Sequence, residues 1–100
     1  RSTNFVSSSS QYTLASSNAG DTIQCSSGGW LINNATGFSA GDMVTFINNS
    51  GSDQTIAISS VTLYNTADGS TGNRTLAARG MATAICSASN TYYISGAGLS

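Results

Sequence analysis

The stretch that decides the fold is MVTFINNSGSDQTIAI, residues 43–58. Residues 43–47 are apolar or β-branched and predict a strand, and the polar run at residues 48–53 predicts the loop of a hairpin. Residues 55–58 predict its second strand. Side chains alternate along a strand, so Ile56 and Ile58 share one face while Ala57 lies on the other.

Similar short runs recur outward from this segment, at intervals of about 8–12 residues, and turn residues close each of them. They lie at residues 12–14, 22–25, 30–33, 61–64, 81–86 and 92–95. This spacing predicts a single small antiparallel β-sandwich, jelly-roll-like, with seven or eight short strands over residues 11–100. Residues 1–10, rich in serine, predict a linker or N-terminal arm.

One segment also fits a helix, because apolar residues recur at helical spacing over residues 76–85. Gly80 lies in the middle of this window, and the β-branched Thr83 and Ile85 lower its helix propensity. A strand is therefore the favoured prediction there.

The composition is unusually poor in charge. Only 7 of the 100 residues are charged, whereas Ser and Thr together number 31; a typical domain is about one quarter charged. The net charge of −1 and the absence of clustered cations argue against nucleic-acid binding and against binding an anionic membrane surface. No run approaches the roughly 18 apolar residues of a membrane span. A nearly neutral surface favours association between copies.

The sequence offers little for catalysis and predicts no enzyme. Without His or Lys it lacks the usual general base, the commonest transition-metal ligand and the Schiff-base residue. Its four aspartates lie in or beside turns. Asp21 and Asp42 are conceivable as a glycosidase-like pair, although nothing in their spacing requires it. We predict no catalytic residue, no metal site and no cofactor.

Four aromatic residues are candidates for contact with a ligand or an interface: Trp30, Tyr64, Tyr92 and Tyr93. Flat aromatic faces suit sugar rings and protein contacts alike, and core packing is the competing interpretation for each. Alternation places one ring of the pair at 92–93 inside and the other outside. Trp30 follows a glycine turn and is the best single candidate for an exposed ring, although core packing is the favoured interpretation for it as well.

Arg74 and Arg79 are the only cations besides Arg1. A guanidinium group bonds carbonyls or a carboxylate in fixed geometry, so we expect at least one of the two to hold the 66–73 loop or a subunit contact. Cys25 and Cys86 are expected to be small buried residues on strands, with one long-range disulfide as the alternative in a secreted protein.

Several runs resemble a module found near the C-termini of phage tail fibres and related virion structural proteins. The matching segments are FSAGDMVTF at 38–46, NNSG at 48–51, TGNRTLAARGMAT at 71–83 and YISGAGL at 93–99. The resemblance implies a β-sandwich that trimerises at a fibre tip or decorates a capsid, and it supplies no catalytic residues. This sequence departs from the usual pattern at Cys86 and at Tyr92 and Tyr93.

From this resemblance we expect a tail-fibre receptor-binding domain that contacts a host surface glycan or protein. The alternatives are a capsid decoration (cement) protein, with residues 1–10 lying on neighbouring subunits, and a secreted adhesin module. The expected partners are two further copies in a homotrimer and other virion proteins, with no nucleic acid and no membrane insertion. The expected location is the virion, assembled in the host cytoplasm, where reducing conditions leave both cysteines unlinked.

Overall fold

The computed structural model describes residues 5–100, which form nine strands and one short 3-10 helix, Ser16–Asn18. The strands are β1 (Phe5–Ser8), β2 (Tyr12–Thr13), β3 (Thr22–Cys25), β4 (Trp30–Asn33), β5 (Met43–Asn48), β6 (Gln54–Ser59), β7 (Thr62–Asn65), β8 (Arg74–Ala88) and β9 (Thr91–Leu99). The prediction of an all-β fold is confirmed. The segment that fitted a helix at residues 76–85 lies within β8, so the preferred strand prediction there is confirmed as well.

The first six strands are added alternately to two branches of the sheet. β1, β3 and β5 form the odd branch, and β2, β4 and β6 form the even branch, with every pairing inside a branch parallel. The chain must therefore cross from one branch to the other after each strand and return before it pairs again. Parallel neighbours need such crossover connections, and here a strand of the opposite branch supplies part of each crossover.

Strand β8 joins the two branches because its 15 residues reach both of them. Its C-terminal half pairs antiparallel with β5, from Met81 opposite Ile47 to Ile85 opposite Met43. Its N-terminal end pairs antiparallel with β6, where Leu76 lies opposite Gln54. Strand β9 runs antiparallel beside β8 and pairs with β7 on its other edge.

The core lies between the branches, in the manner of a sandwich, and is filled by the inward-facing residues of almost every strand. Trp30 and Phe46 pack at its centre with their ring centroids 5.2 Å apart. The other large apolar side chains that are fully buried are Ile23, Ile32, Val44, Ile56, Leu63, Leu76, Tyr92 and Ile94. Inward and outward residues alternate along each strand, so hydrophobic burial fixes which face of each strand is inside.

The pairing differs from the antiparallel jelly-roll-like arrangement expected from the sequence. Among residues 5–100, three strand pairings are antiparallel and five are parallel. The hairpin predicted over residues 43–58 is also absent. Residues 49–53 connect β5 in the odd branch to β6 in the even branch, and β5 and β6 each pair with β8 instead of with each other. Alternation in a sequence specifies the faces of a strand and leaves its partners open.

The predicted arm at residues 1–10 falls partly outside the described residues. Of its described part, Phe5–Ser8 forms β1 and pairs with β3, from Phe5 opposite Thr22 to Ser8 opposite Cys25. The outer edge of β1 is also an edge of the whole sheet.

Candidate functional site

A polar groove lies at the carboxyl ends of β1, β3 and β5. It has a volume of about 340 Å³, and its lining residues are all uncharged: Ser7, Ser8, Ser9, Gln24, Ser26 and Asn49. The strand register explains their convergence, since Ser8 lies opposite Cys25 and Cys25 lies opposite Asn48. The residues around these three positions therefore meet at one end of the odd branch.

Hydrogen bonds within the groove fix part of its wall. The Ser26 hydroxyl donates to the carbonyl oxygen of Ser8 at 3.4 Å, and the neighbouring Ser27 hydroxyl donates to that of Ser9 at 2.8 Å. The Gln24 amide lies 3.5 Å from the Ser7 hydroxyl. Hydroxyl and amide groups both donate and accept, so the groove matches a neutral ligand that carries many hydroxyl groups.

Arg79 brings a positive charge to the rim of this groove. Its Nη1 donates to Oδ1 of Asn49 at 2.8 Å, which fixes the orientation of that lining amide. Arg79 has a φ of 61°, in the left-handed region, and lies within the irregularity that β8 carries between Leu76 and Met81. The next residue is Gly80, where a Cβ would come within 2.8 Å of the Ala97 carbonyl oxygen.

Asn48, the residue before Asn49, belongs to a buried polar network. The Asn48 side chain is fully buried, and its amide donates to the carbonyl oxygens of Leu76 at 2.9 Å and Ala77 at 3.0 Å. It thereby satisfies the backbone of β8 at its irregularity, where regular pairing is interrupted. No buried side-chain nitrogen or oxygen in the described part of the chain is left without a hydrogen-bond partner.

Two of the four candidate aromatic residues lie in the core. Trp30 is fully buried, which agrees with the core packing that the sequence favoured over an exposed ring at this position, and its indole N–H donates to the Ile23 carbonyl oxygen at 3.2 Å. The glycine turn before it turns the chain inward toward the opposite branch. Tyr92 is 1% exposed, and its ring lies beside that of Phe38. Neither ring is available to a ligand on the surface of this fold.

The other two aromatics form a pair on the outside of the sheet. Tyr64 on β7 and Tyr93 on β9 are direct register partners, with ring centroids 4.9 Å apart and planes inclined by 20°. Tyr93 is exposed and Tyr64 is half-buried. The alternation argument for residues 92–93, one ring inside and one outside, agrees with these positions.

Arg74 lies against the 66–73 loop. Its Nη1 donates to the Ser70 hydroxyl at 2.8 Å, and its Nε donates to the Asn73 carbonyl oxygen at 2.9 Å. The backbone N–H and the hydroxyl of Ser70 both donate to Asp68, and these bonds, together with the charge of Arg74, lower the pKa of the Asp68 carboxyl group. Arg74 thus contacts the 66–73 loop, whereas Arg79 contacts Asn49 in the segment after β5.

Both cysteines are buried, as the sequence predicted, and each is a free thiol on a different strand. Burial raises the pKa of Cys25 to about 11, and burial is also the main cause of the raised pKa of Cys86. The Cys25 thiol donates to the carbonyl oxygen of Gly29 at 3.3 Å. A protonated, enclosed thiol is a weak nucleophile, so these groups act as packing residues.

Asp21 and Asp42, considered above as a carboxylate pair, each contact a turn. Asp21 is buried and accepts a hydrogen bond from the Asn18 amide at 3.2 Å. Asp42 accepts the backbone N–H of Ser39 at 2.9 Å. These are the local contacts expected of aspartates that begin strands.

Sequence reasoning missed the groove. Its serines at positions 7–9 lie in the segment interpreted as an arm, and Gln24 and Ser26 lie at the end of an unremarkable strand. The one signal available was the density of hydroxyl and amide residues in 7–10 and 24–27, which is common throughout this chain. Only the parallel register of β1 with β3 brings the two segments together.

The described residues contain no group of three or more metal-ligating side chains. They also contain no helix of the length and hydrophobicity required to cross a membrane. No family model, no curated protein and no solved structure matches this chain.

Proposed function

We propose that this chain is a non-catalytic domain of a phage tail fibre that binds a neutral glycan on the host surface. The observation that carries the proposal is the groove formed by Ser7, Ser8, Ser9, Gln24, Ser26 and Asn49. All six side chains are uncharged and can donate and accept hydrogen bonds, and they line a space of about 340 Å³. The resemblance of residues 38–51, 71–83 and 93–99 to fibre modules supplies the biological setting.

The chemistry of the groove favours a sugar over a charged ligand. Sugar hydroxyls pair with side chains that both donate and accept, and the Gln24 amide and the serine hydroxyls do so. The Arg79 guanidinium at the rim is already bonded to Asn49. We expect a shallow, weak site of this kind to gain strength when several copies bind one surface, as a multivalent fibre does.

Capsid decoration is the competing proposal, and one observation weighs against an arm that reaches neighbouring subunits. That role used residues 1–10 as an arm lying on neighbouring subunits. In the structure Phe5–Ser8 pairs with β3 of its own chain. This segment is engaged in its own sheet, although the outer edge of β1 is open.

The proposal is tested by glycan binding. An array of neutral oligosaccharides and bacterial surface polysaccharides is probed with the purified domain, displayed in many copies on a bead. We expect selective binding that Gln24→Ala and Asn49→Ala each weaken. Asn34→Ala is the matched control, because this exposed amide lies in a turn outside the groove. Binding that the groove variants leave unchanged, or no binding to any glycan, would overturn the proposal.

A further inference from the structure

The groove opens onto the outward face of the sheet. Gln24 lines the groove and projects outward from β3, because its neighbours Ile23 and Cys25 are buried in the core. Ser7, another lining residue, lies opposite Gln24 in the register and shares its face. A ligand in the groove therefore lies at one corner of this outward face.

A continuous row of side chains leads from the groove across the sheet. Gln24 lies opposite Ile47 on β5, and Ile47 lies opposite Met81 on β8. Met81 lies in turn opposite Ala97 on β9. Met81 is 54% exposed, and Ile47 is half-buried. With neighbouring strands about 4.8 Å apart, this row runs for about 14 Å from the groove. We call these four residues the groove row.

A second row on the same face carries hydroxyl groups. It lies two residues along each strand from the groove row and consists of Thr45, Thr83 and Ser95. The hydroxyls of Thr45 and Thr83 are 3.3 Å apart. The row therefore places a line of groups that donate and accept hydrogen bonds next to the apolar side chains of the groove row.

The third row lies four residues from the groove row and ends in the tyrosine pair. Met43 lies opposite Ile85, and Ile85 lies opposite Tyr93. Tyr93 lies opposite Tyr64, on which its ring stacks. With a rise of about 3.3 Å per residue, Tyr93 lies about 20 Å diagonally across the sheet from the groove.

The three rows together are called the outer face. None of their residues is charged. The large apolar side chains that are exposed in residues 5–100 lie on β1, β5, β8 and β9, and none lies on β2, β4 or β6. The apolar surface of the described chain is therefore concentrated on the side where the groove opens.

We propose that the outer face extends the groove into one binding surface for a long neutral glycan chain. One end of the chain occupies the groove, and the rest crosses the three rows toward Tyr93. This inference rests on the proposed function, because the groove supplies the first contact with the glycan. It adds that the ligand is a polysaccharide longer than the groove.

The chemistry of the rows matches such a chain. A sugar ring has apolar C–H faces and hydroxyl groups at its edge. Ligand sites combine apolar and aromatic side chains with a small number of polar groups, and the outer face does so by placing a hydroxyl row between two apolar rows. A charged glycan would find no partner there, since complementary charge is absent from the face.

The area of the outer face favours a glycan over a second protein. Four strands, with five positions along each, cover about 300 Å². A standard stable protein interface buries about 800 Å² per partner, so the outer face is too small to hold a protein by itself. Its direct continuation from Ile47 into Gln24 assigns it to the ligand of the groove.

The test compares short and long fragments of one glycan. Each neutral polysaccharide that the parent binds on the array is cut into a series from disaccharide to polymer, and each fragment is titrated into the purified domain by NMR. We expect the affinity to rise with fragment length. The Met81 methyl and Tyr93 ring signals should shift with long fragments and stay in place with the disaccharide. Met81 lies nearer the groove, so its signal should respond at a shorter fragment length.

Substitutions separate the outer face from the groove. Tyr93→Ala should weaken the binding of long fragments by about two- to tenfold, the range of one aromatic contact, and leave disaccharide binding unchanged. Met81→Ala should act in the same way, whereas Gln24→Ala should weaken the binding of every fragment. Thr55→Ala is the matched control, because this exposed residue lies on the even branch. Thermal melting shows whether each variant folds, and Ile85→Ala replaces one that does not.

The outcomes distinguish this inference from the proposed function. Equal affinity for short and long fragments overturns the inference and leaves the groove proposal standing. A length-dependent gain that folded Met81→Ala and Tyr93→Ala both keep does the same. No binding to any glycan overturns both. Self-association of the parent in sedimentation velocity that these two substitutions abolish also overturns the inference, because a second copy then covers the outer face.

Discussion

The side-chain amide of Gln54 donates to Oδ1 of Asn48 at 2.6 Å, joining the first residue of β6 to the last residue of β5 inside the protein. The same amide donates to the Cys25 carbonyl oxygen at 2.9 Å, and Oε1 of Gln54 accepts the backbone N–H of Gly29 at 2.9 Å. Both residues are buried. The three hydrogen bonds of Gln54 therefore connect the odd branch, the even branch and the β3–β4 turn where the chain crosses the core.

Asn48→Ala tests the importance of this network. The substitution leaves the carbonyl oxygens of Leu76 and Ala77 without the amide that bonds them, at a buried and a part-buried position respectively. We expect the free energy of unfolding to fall by about 3 kcal/mol, because each unsatisfied buried polar group costs about 1–3 kcal/mol. Urea denaturation measures it, with Asn34→Ala as the exposed control. Equal stability of the two variants would contradict this role.

Arg74→Ala tests whether that side chain holds the 66–73 loop. Loss of its bonds to Ser70 and Asn73 is expected to lower the free energy of unfolding by about 1 kcal/mol, since the site is partly solvated. The positive charge of Arg74 also helps to lower the pKa of Asp68, so that pKa should rise in the variant. Carboxyl NMR titration measures the second effect.

Arg79→Ala is the matched variant for this experiment. It removes the bond to Asn49 and leaves the 66–73 loop untouched, so the pKa of Asp68 should stay at its parent position. A parent-like melting curve and an unchanged Asp68 titration in Arg74→Ala would show that the loop is held without this arginine.

The buried thiol of Cys25 predicts a loss of stability at high pH. Its pKa is raised from 9.0 to about 11, so the folded state keeps a proton that the unfolded state releases. The resulting stabilisation is complete below pH 9 and is lost as the pH rises from about 9 through about 11. Burial raises the pKa of Cys86 and Tyr92 as well, with effects of the same sign.

Urea denaturation at a series of pH values measures this loss. Cys25→Ala should show a shallower decline above pH 9 than the parent, because one of the groups responsible is gone. Alkylation of the native protein at pH 8 should also be much slower than alkylation of the unfolded chain. Rapid alkylation of the folded parent would show that the thiol is not enclosed.

Gly29→Ala should be severely destabilising. Gly29 has a φ of 72°, and a Cβ on it would collide with the carbonyl oxygen of Thr55 on the even branch. Strain in the left-handed region and displacement of that strand together predict a loss of about 3 kcal/mol or more. Gly51→Ala is the control, because a Cβ there meets open space. Thermal melting compares them, and similar melting temperatures would contradict the close approach.

The alternating patterns determined much of what the structure shows. The run at residues 43–47 forms part of β5 with Val44 and Phe46 inside, and Ile56 is inside in β6. Gly80, Thr83 and Ile85 correctly favoured a strand over a helix. These predictions succeed because burying one face of a strand requires an apolar residue at every second position, and this requirement is local.

The pairing of the strands and the burial or exposure of particular side chains could be read only from the tertiary structure. The sequence favoured core packing at Trp30 only narrowly over an exposed ring, and the structure buries it. Nothing in the sequence indicated that Ser7 and Gln24 join in one groove or that Met43, Ile85 and Tyr93 align in one row. The sequence by itself determined most of the strands after residue 10, their inward faces and the shortage of charge, whereas β1 lies in the segment predicted as an arm. Only the tertiary structure decided the parallel winding and the surfaces it creates, because strand pairing joins residues distant in the chain through backbone hydrogen bonds that carry no side-chain signature.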